Sequence, residues 1–175
     1  MYWPIDERAR GTETLGRDDD IAERCVTDLL YLEDLTVGQT FATGMTTVTA
    51  DEIKTFAAQF DPQPFHLDEA AASESRFGRL IASGWHTGAI SMRLLVEGEM
   101  RIAGGLIGLG GELSWPRPTY AGDTLRVESE ILEIRASESK LDRGVATVRN
   151  RTLNQHGEVV QLAIVKILVP RRPSP

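Results

Sequence analysis

The sequence predicts an α+β fold in which an antiparallel sheet packs against one long buried helix. Three features predict it. Residues 81–96 are the longest apolar stretch, and from Gly84 onward small and apolar residues run almost all the way round the helical wheel. A helix apolar on every side in a chain of this size belongs at the centre of the molecule. After Leu113 the chain reads as β, with runs that alternate or are continuously apolar through residue 169. One further β-rich run, 40–48, precedes the helix. The β-helix-β pattern occurs once, with no internal repeat.

The 175 residues suit one domain, placed at 31–170, with an N-terminal arm over 1–30 and a C-terminal tail over 171–175. A formal net charge of −7 argues against a nucleic-acid or anionic-membrane partner. Cys25 stands alone, so an intrachain disulfide is impossible and no metal site is expected. No apolar run reaches membrane-spanning length, and the start lacks a basic-then-apolar signal pattern. The expected compartment is the cytoplasm.

Taken in order, the arm carries acidic and basic clusters, Asp18-Asp19-Asp20 the densest, and a short helix is expected around 21–30. Cys25 falls in that helix without a nearby base and reads as a buried structural thiol. Gly38 marks a turn before the β run 40–48. Thr49-Ala50-Asp51-Glu52 is a capping box opening a helix over 51–60, with Ile53, Phe56, Ala57 and Phe60 on its apolar face. A second short helix is expected over 68–74. The glycine-rich stretch 104–111 reads as loop leading into a strand, because it lacks the lysine of a phosphate loop. Strands are expected at 113–115, 124–134, 144–153 and 159–169. Asn154-Gln155-His156-Gly157 is a hairpin signal with His156 as a solvated turn residue. Residues 171–175 read as a disordered tail.

Between the first two helices lies Gln59-Phe60-Asp61-Pro62-Gln63-Pro64-Phe65-His66-Leu67-Asp68. Each proline fixes its own φ and pushes the preceding residue toward extended conformations, so 61–66 is expected to be stiff and non-helical. A carboxylate and an imidazole on a stiff turn suit proton transfer, where position matters before pKa. The competing reading is a proline-rich surface turn whose Asp and His only solvate it.

The segment Asp61-x-x-Pro64-x-His66-x-Asp68 resembles the hydratase signature of MaoC-like enoyl-CoA hydratases. Two further stretches are similar to that family: 77–84 (FGRLIASG), leading into the central helix, and 116–125 (PRPTYAGDTL). The resemblance covers about residues 31–170 and implies the hotdog fold, a sheet wrapped around the helix. It implies a hydro-lyase that adds water to a 2-enoyl-CoA or removes it from a 3-hydroxyacyl-CoA. Asp61 and His66 would form the catalytic pair acting on one water. The acyl-CoA thioester is the substrate, and no separate cofactor is implied.

By the same resemblance the backbone N–H of Gly84 is the oxyanion donor, at a helix N-terminus where such groups are free. The other reading of Gly84 is close packing on the sheet. Ser83 either hydrogen-bonds near the site or caps the helix. Gln63 stands where the family usually has Asn and keeps an orienting amide. Phe65, where Leu is common, either narrows an acyl pocket or fills core. His86 either lines the pocket or sits in core. Arg76, Arg79 and Arg117 are cations near these motifs and read as solvated surface. Two alternatives remain: a hotdog thioesterase, disfavoured because 84–94 holds no carboxylate, and a non-catalytic acyl-CoA-binding protein. An unpaired sheet edge implies a homodimer or higher homo-oligomer.

Overall fold

A computed structural model describes residues 29–173. A 3-10 turn (Leu32–Asp34) leads to strands β1 (Thr40–Ala42) and β2 (Thr46–Thr47). Helices α1 (Ala50–Phe60), α2 (Pro64–Leu67), α3 (Glu69–Glu74) and the long α4 (Gly84–Glu97) follow. Strands β3 (Ile107–Ser114), β4 (Thr124–Ala136), β5 (Arg143–Leu153) and β6 (Val159–Pro170) complete the chain. All pairings are antiparallel, in the order β1-β4-β5-β6-β3, and β2 also pairs with β4.

Local chemistry sets the helix starts. The Thr49 hydroxyl accepts from the Glu52 N–H at 3.2 Å, and the Glu52 carboxylate accepts from the Thr49 N–H at 2.9 Å. This reciprocal cap satisfies donors that any helix start leaves free. Asp68 caps α3 through the Ala71 N–H, and Ser83 caps α4 through the Trp85 N–H.

The buried side of α4 carries Leu94 and Leu95 into a cluster with Val48, Ile53, Leu80, Leu125, Val127 and Val160. A second cluster covers the far end of the sheet, where Leu32, Leu35, Met100 and Ile102 pack on Ile131, Val148, Ile167 and Val169. Each fully buried aliphatic side chain contributes about 1.5–3 kcal/mol, so these two clusters carry most of the fold's stabilisation.

Several expectations change. Residues 61–66 are not wholly non-helical, because Pro64 occupies the first position of α2, where its missing N–H costs nothing. Phe60 is exposed rather than on the buried face of α1. Helix α4 is apolar all round but not buried all round: Trp85, Met92 and Val96 are exposed along one side. The strand expected at 113–115 spans Ile107–Ser114, with a bulge between Gly108 and Gly110, so part of the glycine stretch is strand. The β run 40–48 is split into β1 and β2. The tail is tied down at its start: Arg171 pairs with Glu33, and Arg172 with Asp34. Of the helix expected around 21–30, only Leu29 and Leu30 are described, and neither is helical; Leu30 bridges to Ile102. The rest of the arm, with Cys25, lies outside the described residues.

Candidate active site

The site forms where the turn after α1 meets the segment before α4. Asp61 ends α1, its N–H donating to the Ala57 carbonyl, and takes a non-helical conformation (φ −153°, ψ 69°). Helix α2 is a single turn that carries His66 into the interior, where it is 4 % exposed. Two bonds lock that turn to the 80–82 segment. The Ile81 N–H donates to the Phe65 carbonyl at 3.4 Å, and His66 Nδ1 lies 2.8 Å from the Ile81 carbonyl.

The second bond fixes the tautomer. A carbonyl only accepts, so Nδ1 carries the proton, and in the neutral ring Nε2 presents a lone pair. Nε2 stands 3.4 Å from Asp61 Oδ2. The other Asp61 oxygen, Oδ1, accepts from the Gln63 amide at 2.8 Å. The Asp61 carboxyl is held below the usual carboxylate range. The Ser83 hydroxyl acts on it most, burial opposes, and the Gln63 amide and His66 ring add to the lowering. Asp61 is therefore ionised near neutral pH, with His66 Nε2 turned toward it.

Both groups face a cleft of about 390 Å³, which Gln63, Phe65, Ser83 and Gly84 also line. Gly84 is the first residue of α4, and the Ser83 cap takes the next N–H, that of Trp85. The Gly84 N–H has no intrahelical acceptor and lies at the positive end of the helix. A Cβ here would stand 2.8 Å from the Trp115 indole, so only glycine fits beneath that ring. Both readings of Gly84, close packing and a free donor, are thus compatible. Ser83 caps the helix and also lines the cleft, with its hydroxyl acting on the Asp61 carboxyl.

Phe65 meets the His66 ring edge-on, with centroids 4.6 Å apart, and it also packs on the core. His86 does not line the cleft. It stacks on Phe56 at 4.7 Å, and its buried Nδ1 has no partner. Arg76 and Arg117 line the cleft, and Arg117 pairs with Glu158. Arg79 lies over the Tyr120 ring, 3.6 Å from its centroid. The sequence reading missed Trp85, Trp115 and the Thr87–Thr119 hydroxyl pair at 3.0 Å, which line the same cleft. Trp115 next to Pro116 was the one available signal. Nothing in the side chain of Ile81 announces that its carbonyl orients a histidine.

Among the described residues, no helix is long and apolar enough to cross a membrane, and no cluster of metal-ligating side chains occurs.

Known proteins resemble this chain in sequence and fold. The MaoC-like domain family matches residues 34–153. A solved MaoC-like dehydratase of Rhodospirillum rubrum is 56 % identical, with a TM-score of 0.81, over 83 % of this chain and 99 % of its own. An uncharacterized Bacillus subtilis protein, YdeM, is 36 % identical over 81 % of this chain and its own full length. The (R)-specific enoyl-CoA hydratase of Aeromonas caviae is 34 % identical over 67 % of this chain and 85 % of its own. The sheet wrapping α4 is the hotdog fold of these proteins, and the chain belongs to the MaoC-like dehydratase family.

Proposed function

We propose that this protein is a hydro-lyase that interconverts a 2-enoyl-CoA and a 3-hydroxyacyl-CoA, with Asp61 and His66 acting together on one water. The observation that carries the reading is the His66 orientation: Nδ1–H committed to the Ile81 carbonyl, Nε2 facing Asp61 Oδ2 across 3.4 Å. A water between those two atoms donates to both. In hydration its oxygen bonds to Cβ of the alkene, one of its protons passes to the pair, and a proton from the pair goes to Cα. The sum is H₂O added across one double bond, with no oxidant or cofactor required.

As Cβ is attacked, negative charge collects on the thioester oxygen. The Gly84 N–H is a preorganised donor for that charge, in a cleft partly screened from water. The Gln63 amide holds Asp61 in register with His66, and Phe65 fixes the ring from its edge. Similarity to the Aeromonas caviae (R)-specific enoyl-CoA hydratase and to the 3-hydroxybutyryl-CoA dehydratase of Methylorubrum extorquens supports the reaction class.

The working form is a homodimer or higher homo-oligomer in the cytoplasm. Strand β3 is exposed along its whole length at the sheet edge, where Ile107, Leu109 and Leu113 present apolar side chains. Such an edge invites pairing with a second copy. Light scattering at micromolar concentration reads at least twice the chain mass; a monomer ends that part of the proposal. The reaction is tested with crotonyl-CoA, whose enoyl-thioester absorbance bleaches on hydration without releasing thiol. Bleaching with thiol release identifies a thioesterase instead, and no change on binding identifies a non-catalytic acyl-CoA protein.

A further inference from the structure

A second cavity, about 470 Å³, lies alongside α4 from Trp85 to Leu95. Gly88, Ala89 and Met92 form its helix side and Gly108, Gly110 and Gly111 its strand side. Gly108 and Gly110 put no side chain into this space, which leaves a mostly apolar slot between helix and sheet. Of all the residues lining the two cavities, Trp85 alone is shared.

A partition separates them. Trp115, on the cleft side, meets Trp85 edge to face, with centroids 5.3 Å apart and planes at 77°. Its indole N–H donates to Gln161 Oε1 at 3.0 Å, and Gln161, 4 % exposed, lies on the wall of the second cavity. The same Gln161 oxygen stands 3.5 Å from where a Gly88 Cβ would project, which wedges the amide between α4 and the indole. A half-buried indole N–H needs an acceptor, so the tether selects one position of the ring. That position packs the ring against the Cα of Gly84, whose N–H is the oxyanion donor of the proposed reaction.

We infer that Trp115, held by Gln161 and braced by Trp85, is a chain-length gate that stops the acyl tail of the thioester at the border of the second cavity. The inference rests on the acyl-thioester reading above. With the gate closed the site takes short acyl chains; with it removed the tail runs on into the apolar slot. Each methylene then buried is worth roughly fourfold in affinity.

The test compares wild type, Trp115→Ala, Trp115→Phe and Gln161→Leu in two assays. One is the kcat/KM ratio of trans-2-octenoyl-CoA to crotonyl-CoA. The other is the Kd ratio of octanoyl-CoA to butyryl-CoA, saturated thioesters that do not react. Wild type favours the short chain at least about tenfold in both. Trp115→Ala raises the preference for the long chain by at least about tenfold, and Trp115→Phe and Gln161→Leu raise it less. Folding is checked by circular dichroism, and Trp115→Phe stands in should the alanine variant fail to fold.

Ratios that stay within about twofold of wild type in a folded Trp115 variant overturn the gate. So does a wild type that prefers the octanoyl chain or binds neither saturated thioester. Kd ratios that shift in a protein that hydrates nothing leave the gate standing and remove the hydratase reading. Hydration with unmoved ratios does the opposite.

Discussion

Two buried histidines flank the start of α4 and differ in everything except burial. His66 is 4 % exposed and His86 8 %. His66 has one ring nitrogen committed to the Ile81 carbonyl and the other aimed at a carboxylate on the wall of a cleft. His86 lies flat on Phe56, its Nδ1 without a partner and its ring away from the cleft. Burial alone does not make an imidazole useful for proton transfer. What distinguishes His66 is a second group that fixes its tautomer and a ring that borders the open cleft.

The largest test of that contrast is direct substitution. Asp61→Asn and His66→Gln each lower kcat for crotonyl-CoA hydration by about 100- to 10,000-fold while the protein stays folded. The double variant falls little further, because the two groups act on one water. His86→Gln keeps kcat within about threefold. A His66→Gln enzyme within about threefold of wild type, or a His86→Gln enzyme that collapses without losing its fold, reverses the assignment.

A finer probe removes one orienting contact. Gln63→Leu deletes the 2.8 Å bond to Asp61 Oδ1. It lowers kcat by about three- to tenfold, the worth of one hydrogen bond, and KM moves less.

Ser83→Ala removes the strongest influence on the Asp61 carboxyl, so its titration moves to higher pH, read by carboxyl-carbon NMR. A depressed carboxyl contributes stability above its unfolded pKa and loses it as pH falls through the folded one. The variant therefore loses part of that contribution at neutral pH. It also loses the cap on α4, about 1 kcal/mol in unfolding experiments.

The smallest effect belongs to His86. Burial lowers its pKa from the ordinary value near 6.5, with a weak opposing pull from Glu52. Above 6.5 the ring is neutral in folded and unfolded chains alike, and it contributes no pH dependence. As pH falls below 6.5 the unfolded chain takes up the proton first, so stability declines. His86→Leu flattens the slope of Tm against pH between about 6.5 and 5; an unchanged slope means the ring is not kept neutral by the fold.

The same contrast explains what was legible beforehand. The Thr49–Glu52 cap was readable because its partners are three residues apart and use side chains specific to that job. Asp61 and His66 were readable as a motif, since two prolines constrain the spacing between them. His86 could be weighed only as core or pocket, because the choice depends on which way α4 is rotated. The extent of β3 was hidden by glycines, which carry no strand preference, and the exposed stripe of α4 by a wheel that looks apolar from every side. The contacts of Trp115 with Trp85 and Gln161 were beyond reach, because partners 30 and 46 residues away leave no local trace.

The sheet order has a consequence for how this chain is made on a ribosome. Strands β1 and β2 find their partner only in β4, residues 124–130, and β3 finds its partner only in β6. Until about residue 124 has emerged, none of the described strands has a ladder to join, although α4 and its apolar surface are already outside the exit tunnel. Completion of the sheet is thus a late, long-range event, the kind of closure that slows folding and prolongs exposure of sticky surface. A stalled nascent chain ending before β4 should be captured by chaperones and cut by protease. One released after β6 should resist both.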